Sequence, residues 1–144
     1  MRIDAEKLSE LRQLASEVHP EGEDLLFFHT DEEIIEAFNG IGPESWPEAL
    51  RSLIDRLHPS VILAALIHDI QWTYWNRGTK DHFLKTNAIF ERNCKKTARH
   101  CYCVIDPRRW ISLRRAKEFK ALLDAFGFKH YKQAFQKRLE NQKI

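Results

Sequence analysis

The chain has 144 residues, of which 43% are hydrophobic and 31% are charged. This balance excludes a disordered chain and fits one globular domain, residues 1–144, that buries a single core. The start, Met1 to Lys7, has no apolar signal core, and the longest apolar run, Val61 to Ile67, is too short to span a bilayer. We therefore expect a cytoplasmic protein.

The net charge of +2 hides an uneven distribution. Residues 1–93 contain 9 Lys and Arg against 17 Asp and Glu, whereas residues 94–144 contain 14 against 4. Such a basic region attracts phosphate-rich partners, although on an amphipathic helix it is more often a solvated face. The partner predicted for this region is a phospholipid or membrane surface, and specific nucleic-acid binding is not expected.

Helical periodicity begins with a first helix that Asp4 caps and Pro20 ends. The next apolar segment, Leu25 to Phe28, is predicted to be a buried loop or a lone strand. Thr30-Asp31-Glu32-Glu33 has the form of a capping box for a short helix. This helix is predicted to run to about Phe38 and to stop in Asn39-Gly40-Ile41-Gly42-Pro43.

A further helix is predicted from Pro47 to Leu57, and Ser60 is expected to cap a long helix behind it. Asn76-Arg77-Gly78 breaks that long helix, and Thr79 caps the next one, which runs to about His100.

The C-terminal part, residues 104–144, is predicted to consist of basic helices. Asp106-Pro107 starts one that ends at Gly127, and a last helix follows from Lys129 to Glu140. The predicted fold class is therefore all-α: a small helical domain around a pair of antiparallel helices, with extra helices at both ends.

The adjacent residues His68 and Asp69 interrupt the otherwise apolar run from Ala64 to Trp72. Burying two ionisable groups is costly unless they are paired or bound, so this pair is where chemistry is expected. On the next helix, Asn87 is a single polar amide in the apolar stripe of Phe83, Phe90 and Cys94. A buried amide needs a partner, and we predict that the imidazole of His68 supplies it across the helix pair.

Three elements together resemble the phospholipase A2 superfamily: Phe38-Asn39-Gly40-Ile41-Gly42, the His68-Asp69 pair in a helix, and Asn87-Ala88-Ile89-Phe90 in the following helix. The resemblance covers residues 38–94 and is nearest to the disulfide-free, phage-associated and bacterial branch. In that superfamily a G-x-G loop offers carbonyls to calcium, the H-D pair opens the active site, and a D-x-x-F helix orients the histidine.

The resemblance implies a calcium-dependent hydrolase of phospholipid esters. His68 would be the base that removes a proton from water. Asp69 would ligate calcium together with the backbone carbonyls of Phe38, Gly40 and Gly42, an oxygen-only set of the kind that this hard cation prefers.

The chain also departs from the family. Asn87 stands where relatives have the orienting aspartate, and it accepts a hydrogen bond from imidazole but cannot stabilise imidazolium by charge. The same replacement in a serine protease costs about 10⁴ in turnover. Asp81 is the available substitute carboxylate and a second catalytic candidate, although its place just after Thr79 is typical of a cap residue. Trp72 also replaces a family tyrosine, and we expect weak or absent activity.

Two alternatives remain open. The string from Leu63 to Ile70 also resembles HD-domain phosphohydrolases, where the pair joins an upstream histidine and a downstream aspartate around metal. The upstream histidines considered for this role are His29 and His58. In the second alternative, the chain is a non-catalytic phage or bacterial structural or binding module of the same fold, and the pair only satisfies hydrogen bonds in its core.

The remaining candidates are cysteines and surface residues. The three cysteines, Cys94, Cys101 and Cys103, lack the paired spacing of a zinc knuckle and are expected to be reduced thiols. Trp46, beside the predicted calcium loop, is a candidate for insertion into a lipid interface. The arginines expected to face solvent, or else to meet lipid phosphates or nucleic acid, are Arg108, Arg109, Arg114 and Arg115.

Overall fold

The computed structural model describes residues 3–40 and 59–142, and within them it contains seven α-helices and no strand, which confirms the all-α class. The helices are α1 (Ala5–Val18), α2 (Leu25–Phe28), α3 (Asp31–Gly40), α4 (Pro59–Tyr74), α5 (Lys80–Cys101), α6 (Pro107–Phe126) and α7 (Phe128–Gln142). Across this part of the chain, none of the helices is long and apolar enough to cross a membrane. The predicted helix at 47–57, with Gly42, Trp46 and His58, lies outside the described residues.

Four of the predicted helix starts, at Asp4, Thr30, Thr79 and Asp106, are confirmed by hydrogen bonds at the caps. The side chains of Asp4, Thr79 and Asp106 each accept a bond from a backbone N–H in the first turn of their helix. Thr30 and Glu33 form the reciprocal capping box, with distances of 3.2 and 3.1 Å. Each cap satisfies amides that the helix itself leaves open, and each is worth about 1 kcal/mol.

Three boundaries differ from the sequence prediction. Leu25–Phe28 is a short helix rather than a loop or strand, because the N–H groups of Phe28 and His29 donate to carbonyls four residues earlier. Leu26 is buried, whereas Phe27 and Phe28 are exposed. The helix predicted to stop near Phe38 continues to Gly40, so the first half of the predicted calcium loop is helical. Ser60 lies inside α4 rather than before it.

Helix α4 is the centre of the fold. It contributes to two groups of buried side chains, one shared with α1, α2 and α3 and the other with α5, α6 and α7. A helix that is apolar on all sides is expected to be surrounded by protein, and α4 fits this rule. The largest fully buried side chains are Trp72, Tyr131, Phe83, Phe90, Leu8, Leu26, Ile34, Leu63, Leu66, Ile67 and Ile70.

Helices α4 and α5 run in opposite directions. His68, in the middle of α4, packs against Phe90, while Trp72, one turn later, packs against Phe83 and donates to Thr86 at 2.9 Å. Higher numbers on α4 therefore meet lower numbers on α5. Residues 75–79 form the short connection that joins the pair.

This connection is held by α7. Asn76 donates to the Tyr131 carbonyl at 2.8 Å and accepts from the Gly78 N–H at 2.8 Å. The Tyr131 hydroxyl accepts from Arg77 and Gly78 backbone N–H groups, so its own proton is directed at Nδ1 of His82, 2.7 Å away. Every polar group of the turn named here is thus satisfied by α7 or by the turn itself.

Gly78→Ala is expected to destabilise the protein by about 1–2 kcal/mol. Gly78 has a φ of +73°, in the left-handed region, and this is about the free energy that an alanine loses by adopting that conformation. A Cβ at this position would also lie 2.6 Å from the Phe135 ring. The free energy of unfolding in urea measures the effect. Arg77→Ala, an exposed change in the same turn, is the control and should shift stability by less than about 0.5 kcal/mol. Equal stability of the two variants would contradict the prediction.

Candidate functional site

His68 lies between α4 and α5 with 3% of its surface exposed. Its Nε2 atom is 2.8 Å from Oδ1 of Asn87, which is the predicted hydrogen bond across the helix pair. The imidazole also lies against the rings of Trp72 and Phe90, with centroid distances of 4.4 and 5.4 Å. The ring is therefore fixed by packing as well as by its polar partner.

The polar contact continues into α6. Nδ2 of Asn87 donates to Oδ1 of Asp124 at 2.9 Å, and Oδ2 of Asp124 accepts from Lys120 at 2.5 Å. Sequence reasoning missed Asp124, which is 37 residues from Asn87 along the chain. One signal was available: a carboxylate in the last turn of a helix opposes the helix dipole, so Asp124 needed a local reason to be there.

This chain of bonds determines which ring nitrogen of His68 carries the proton. An ionised Asp124 only accepts, so the NH₂ group of Asn87 faces it and the amide oxygen faces the ring. Nε2 of His68 must then donate, which leaves a lone pair on Nδ1 in the neutral imidazole. Nδ1 is therefore the basic atom of the site.

Asp69 lies beside that basic atom. Its Oδ1 is 3.9 Å from Nδ1 of His68, too long for a hydrogen bond, and 14% of its side chain is exposed. Burial raises the pKa of the Asp69 carboxyl from 3.8 to about 6, an effect that the neighbouring His68 partly opposes. A buried carboxylate of this kind suits a hard cation, which would compensate its lost hydration.

Of the other predicted calcium ligands, Phe38 and Gly40 are among the described residues and Gly42 is not. Phe38 and Gly40 belong to the last turn of α3, where backbone carbonyls lack partners within the helix. Phe38 packs in the same apolar group as Leu66 and Ile70, on the helix that carries Asp69. Over residues 3–40 and 59–142, no three His, Cys, Asp or Glu side chains are grouped to hold a metal. Within the part of the chain that the structure describes, a calcium site here would therefore depend on one carboxylate and backbone oxygens.

Asp81 is not brought to the histidine. It is exposed in the first turn of α5, six residues before Asn87 and so about 9 Å away along the helix axis. Its position favours an acidic side chain through the open amides of the helix start. The described contacts of His68 involve Asn87 and Asp69 instead.

His29 has partners of its own. Its Nε2 accepts from the indole N–H of Trp75 at 2.9 Å, its Nδ1 lies 3.5 Å from Glu33, and its ring stacks on Tyr74. Both ring nitrogens are thus occupied near the C-terminal end of α4, two turns beyond His68. His29 is therefore engaged away from Asp69, and His58, the other upstream candidate of the phosphohydrolase alternative, lies outside the described residues.

The three cysteines are free thiols, as expected. Cys94 is buried and burial raises the pKa of its thiol, whereas Cys101 and Cys103 are exposed. The thiol of Cys94 therefore stays protonated and acts as a small apolar group in the core.

A groove of about 580 Å³ opens on another side of the helix pair. Its walls include Leu25, Phe28, Gln71, Trp75, His82 and Lys85. The Gln71 side-chain oxygen is buried there and has no hydrogen-bond partner among residues 3–40 and 59–142. His68, Asp69 and Asn87 do not line this groove, so it is separate from the histidine site.

Comparison with known proteins adds no assignment. No protein-family model, no curated protein and no solved structure matches the chain. Inference about function therefore depends on the geometry around His68.

Asp69→Asn is expected to stabilise the protein at pH 7.5 in the presence of EDTA by about 1–3 kcal/mol. The pKa of Asp69 is raised to about 6 in the folded protein, so folding favours the protonated carboxyl. The stability that this protonated carboxyl contributes is fully present below pH 3.8 and is lost as the pH rises through about 6. The variant removes this loss, so its advantage should disappear near pH 3.5. Urea unfolding at both pH values measures it. The exposed Asp81→Asn is the control, and equal behaviour of both variants would contradict the prediction.

The two buried histidines are expected to be opposite neutral tautomers. His68 should carry its proton on Nε2, because Asn87 accepts there, whereas His29 should carry it on Nδ1, because its Nε2 accepts from Trp75. Long-range ¹H–¹⁵N spectra of labelled protein distinguish the two forms. Asn87→Ala should abolish the preference at His68 and leave His29 unchanged. An Nδ1–H form of His68 in the wild type would refute the assignment.

Proposed function

We propose that this protein is a phospholipase A2-like hydrolase of phospholipid esters with slow turnover, in which His68 is the base and Asp69 a calcium ligand. The observation that carries the proposal is the 2.8 Å bond from His68 to Asn87, because it leaves the basic Nδ1 beside Asp69. The antiparallel pair of α4 and α5, which holds these residues, supports a phospholipase A2-like core.

In this proposal the reaction begins at Nδ1 of His68, which takes a proton from a water molecule as that water attacks the ester carbonyl. Asn87 holds the ring so that Nδ1 keeps its direction while Nε2 stays protonated. Calcium, when bound, polarises the ester carbonyl and stabilises the negative charge that develops on its oxygen. The residues that would hold it are Asp69 and the carbonyls of Phe38, Gly40 and Gly42.

Slow turnover follows from the partners of the histidine. Proton transfer creates imidazolium, and the amide of Asn87 offers no charge to stabilise it. The carboxylate of Asp124 lies one residue further away and is already paired with Lys120. A carboxylate that reaches the ring only through an intervening amide can orient the imidazole as a direct carboxylate would. Because it lies further away, it stabilises the positive charge of the imidazolium less.

The near-complete burial of His68 favours a second candidate, a non-catalytic structural or binding module of the same fold. A ring that is 3% exposed leaves little room for an ester to approach Nδ1. In this alternative the His68–Asn87–Asp124 contacts only satisfy polar groups inside the helix bundle.

Release of fatty acid from phosphatidylcholine vesicles separates these candidates. We expect slow release by the wild type with calcium, none with EDTA, and none in His68→Ala or Asp69→Asn. His100→Ala, which removes an exposed histidine paired with Glu17, is the matched control and should keep the wild-type rate. Release that is absent, or that persists in His68→Ala, would refute the enzymatic proposal, and its absence would favour the module.

Exchanging the two partner side chains tests why turnover is slow. The double variant Asn87→Asp with Asp124→Asn puts a carboxylate on Nε2 and lets the new amide at 124 bridge to Lys120, at unchanged net charge. We expect kcat to rise by about tenfold or more. Asp124→Asn alone leaves no carboxylate in the chain of bonds and should give no rise. A folded double variant with the wild-type rate would show that the charge next to His68 does not limit the reaction.

A further inference from the structure

Large apolar side chains are exposed together where α5 leads into α6. Their exposed fractions are 62% for Val104, 89% for Ile105, 56% for Trp110 and 49% for Ile111. The indole of Trp110 donates to the Val104 carbonyl at 2.9 Å, and the N–H of Asp106 donates to the Cys103 carbonyl at 3.0 Å, so the turn and the helix start form one unit. We call these four residues the apolar wedge.

The wedge is unusual because four large apolar side chains are exposed within one turn and the helix start that follows it. Single apolar residues on a surface need no explanation, but a patch of large ones is typical of a site that meets another apolar phase. The turn is also well ordered by its own bonds: Asp106 caps α6 and is paired with Arg108. A defined, uncovered apolar turn is therefore a built feature of the surface.

Basic side chains follow the wedge along α6. Arg114 and Arg115 lie four residues after Trp110 and Ile111, which places them on the same helix faces about 6 Å further along the axis. Lys117 follows within the next turn. Arg114 is paired with Glu118 at 3.2 Å, but the described residues offer no ion pair to the exposed Arg115 and Lys117. We call Arg114, Arg115 and Lys117 the basic collar.

We propose that the wedge and the collar together bind the surface of an anionic lipid bilayer. A bilayer presents apolar chains beneath a layer of phosphates, and a segment that lies in its interface buries apolar side chains by about 5–10 Å. Inserted wedge residues would place the collar at the level of the phosphates, where Arg and Lys are attracted to negative lipids. Trp110 is the residue type that favours the boundary between the two layers.

Charge and apolar exposure favour a lipid bilayer over two other possible partners, a second copy of the chain and a nucleic acid. A second copy of the chain would bring two basic collars together around the joined wedges, and like charges would oppose that contact. A nucleic acid would satisfy the collar but gives Ile105, which is 89% exposed, no apolar phase to enter. The excess of basic residues over residues 94–144 complements an anionic bilayer over a wide surface. The proposal concerns binding and does not require turnover at His68.

Co-sedimentation with vesicles tests the proposal. Wild-type protein should bind vesicles that contain phosphatidylglycerol at least tenfold more tightly than pure phosphatidylcholine vesicles. Ile105→Asp and the double variant Arg115→Gln with Lys117→Gln should each lose most of this binding. Leu84→Ser, an exposed apolar change on α5, is the matched control and should bind normally. His68→Ala should also bind normally, so a failure of catalysis does not affect the result.

Quenching of tryptophan fluorescence by brominated lipids locates the contact. Trp75 is also exposed, so the quenched signal should disappear in Trp110→Phe and persist in Trp75→Phe. Unchanged vesicle binding in Ile105→Asp would overturn the proposal. So would a dimer in solution that Ile105→Asp dissociates, or DNA binding that depends on the collar while vesicles are not bound.

Discussion

The near-complete burial of α4 is the constraint on which the rest of the structure depends. A helix enclosed by protein has no water for its polar side chains, so His68 has to find its partner on a neighbouring helix. Asn87 supplies that partner from α5, and Asp124 supplies the next one from α6. One polar side chain in the central helix thus sets the relative positions of three helices.

Local features of this chain could be predicted from sequence, and distant ones could not. The caps at Asp4, Thr79 and Asp106 depend on neighbouring residues, and the short 75–79 connection makes the His68–Asn87 contact close to local. The partnership with Asp124 requires the packing of α6, which no periodicity specifies. The prediction for Leu25–Phe28 was wrong for another reason: four consecutive apolar residues suggested a buried segment, but in a single helical turn Leu26 is buried while Phe27 and Phe28 are exposed.

The surface and the interior of α6 have different roles. Its buried side provides Phe119 and Leu123 to the core and brings Asp124 to Asn87. Its exposed side carries Trp110, Ile111 and the basic collar. A single helix therefore connects the polar chain around the histidine with the proposed lipid surface. The largely uncharged groove near Gln71 belongs to neither.

The hydrogen bonds between α7 and the 75–79 turn have a consequence for the order in which the chain can fold. Helices α4 and α5 are neighbours in sequence, so they can pair early at a low entropic cost. Their turn, however, is completed by Tyr131, 55 residues beyond Asn76. During synthesis the turn of the helical hairpin therefore stays incomplete until α7 has emerged. Helix α7 is thus a closing element of the central pair, and losing it would loosen residues that precede it by about 55 positions in the sequence.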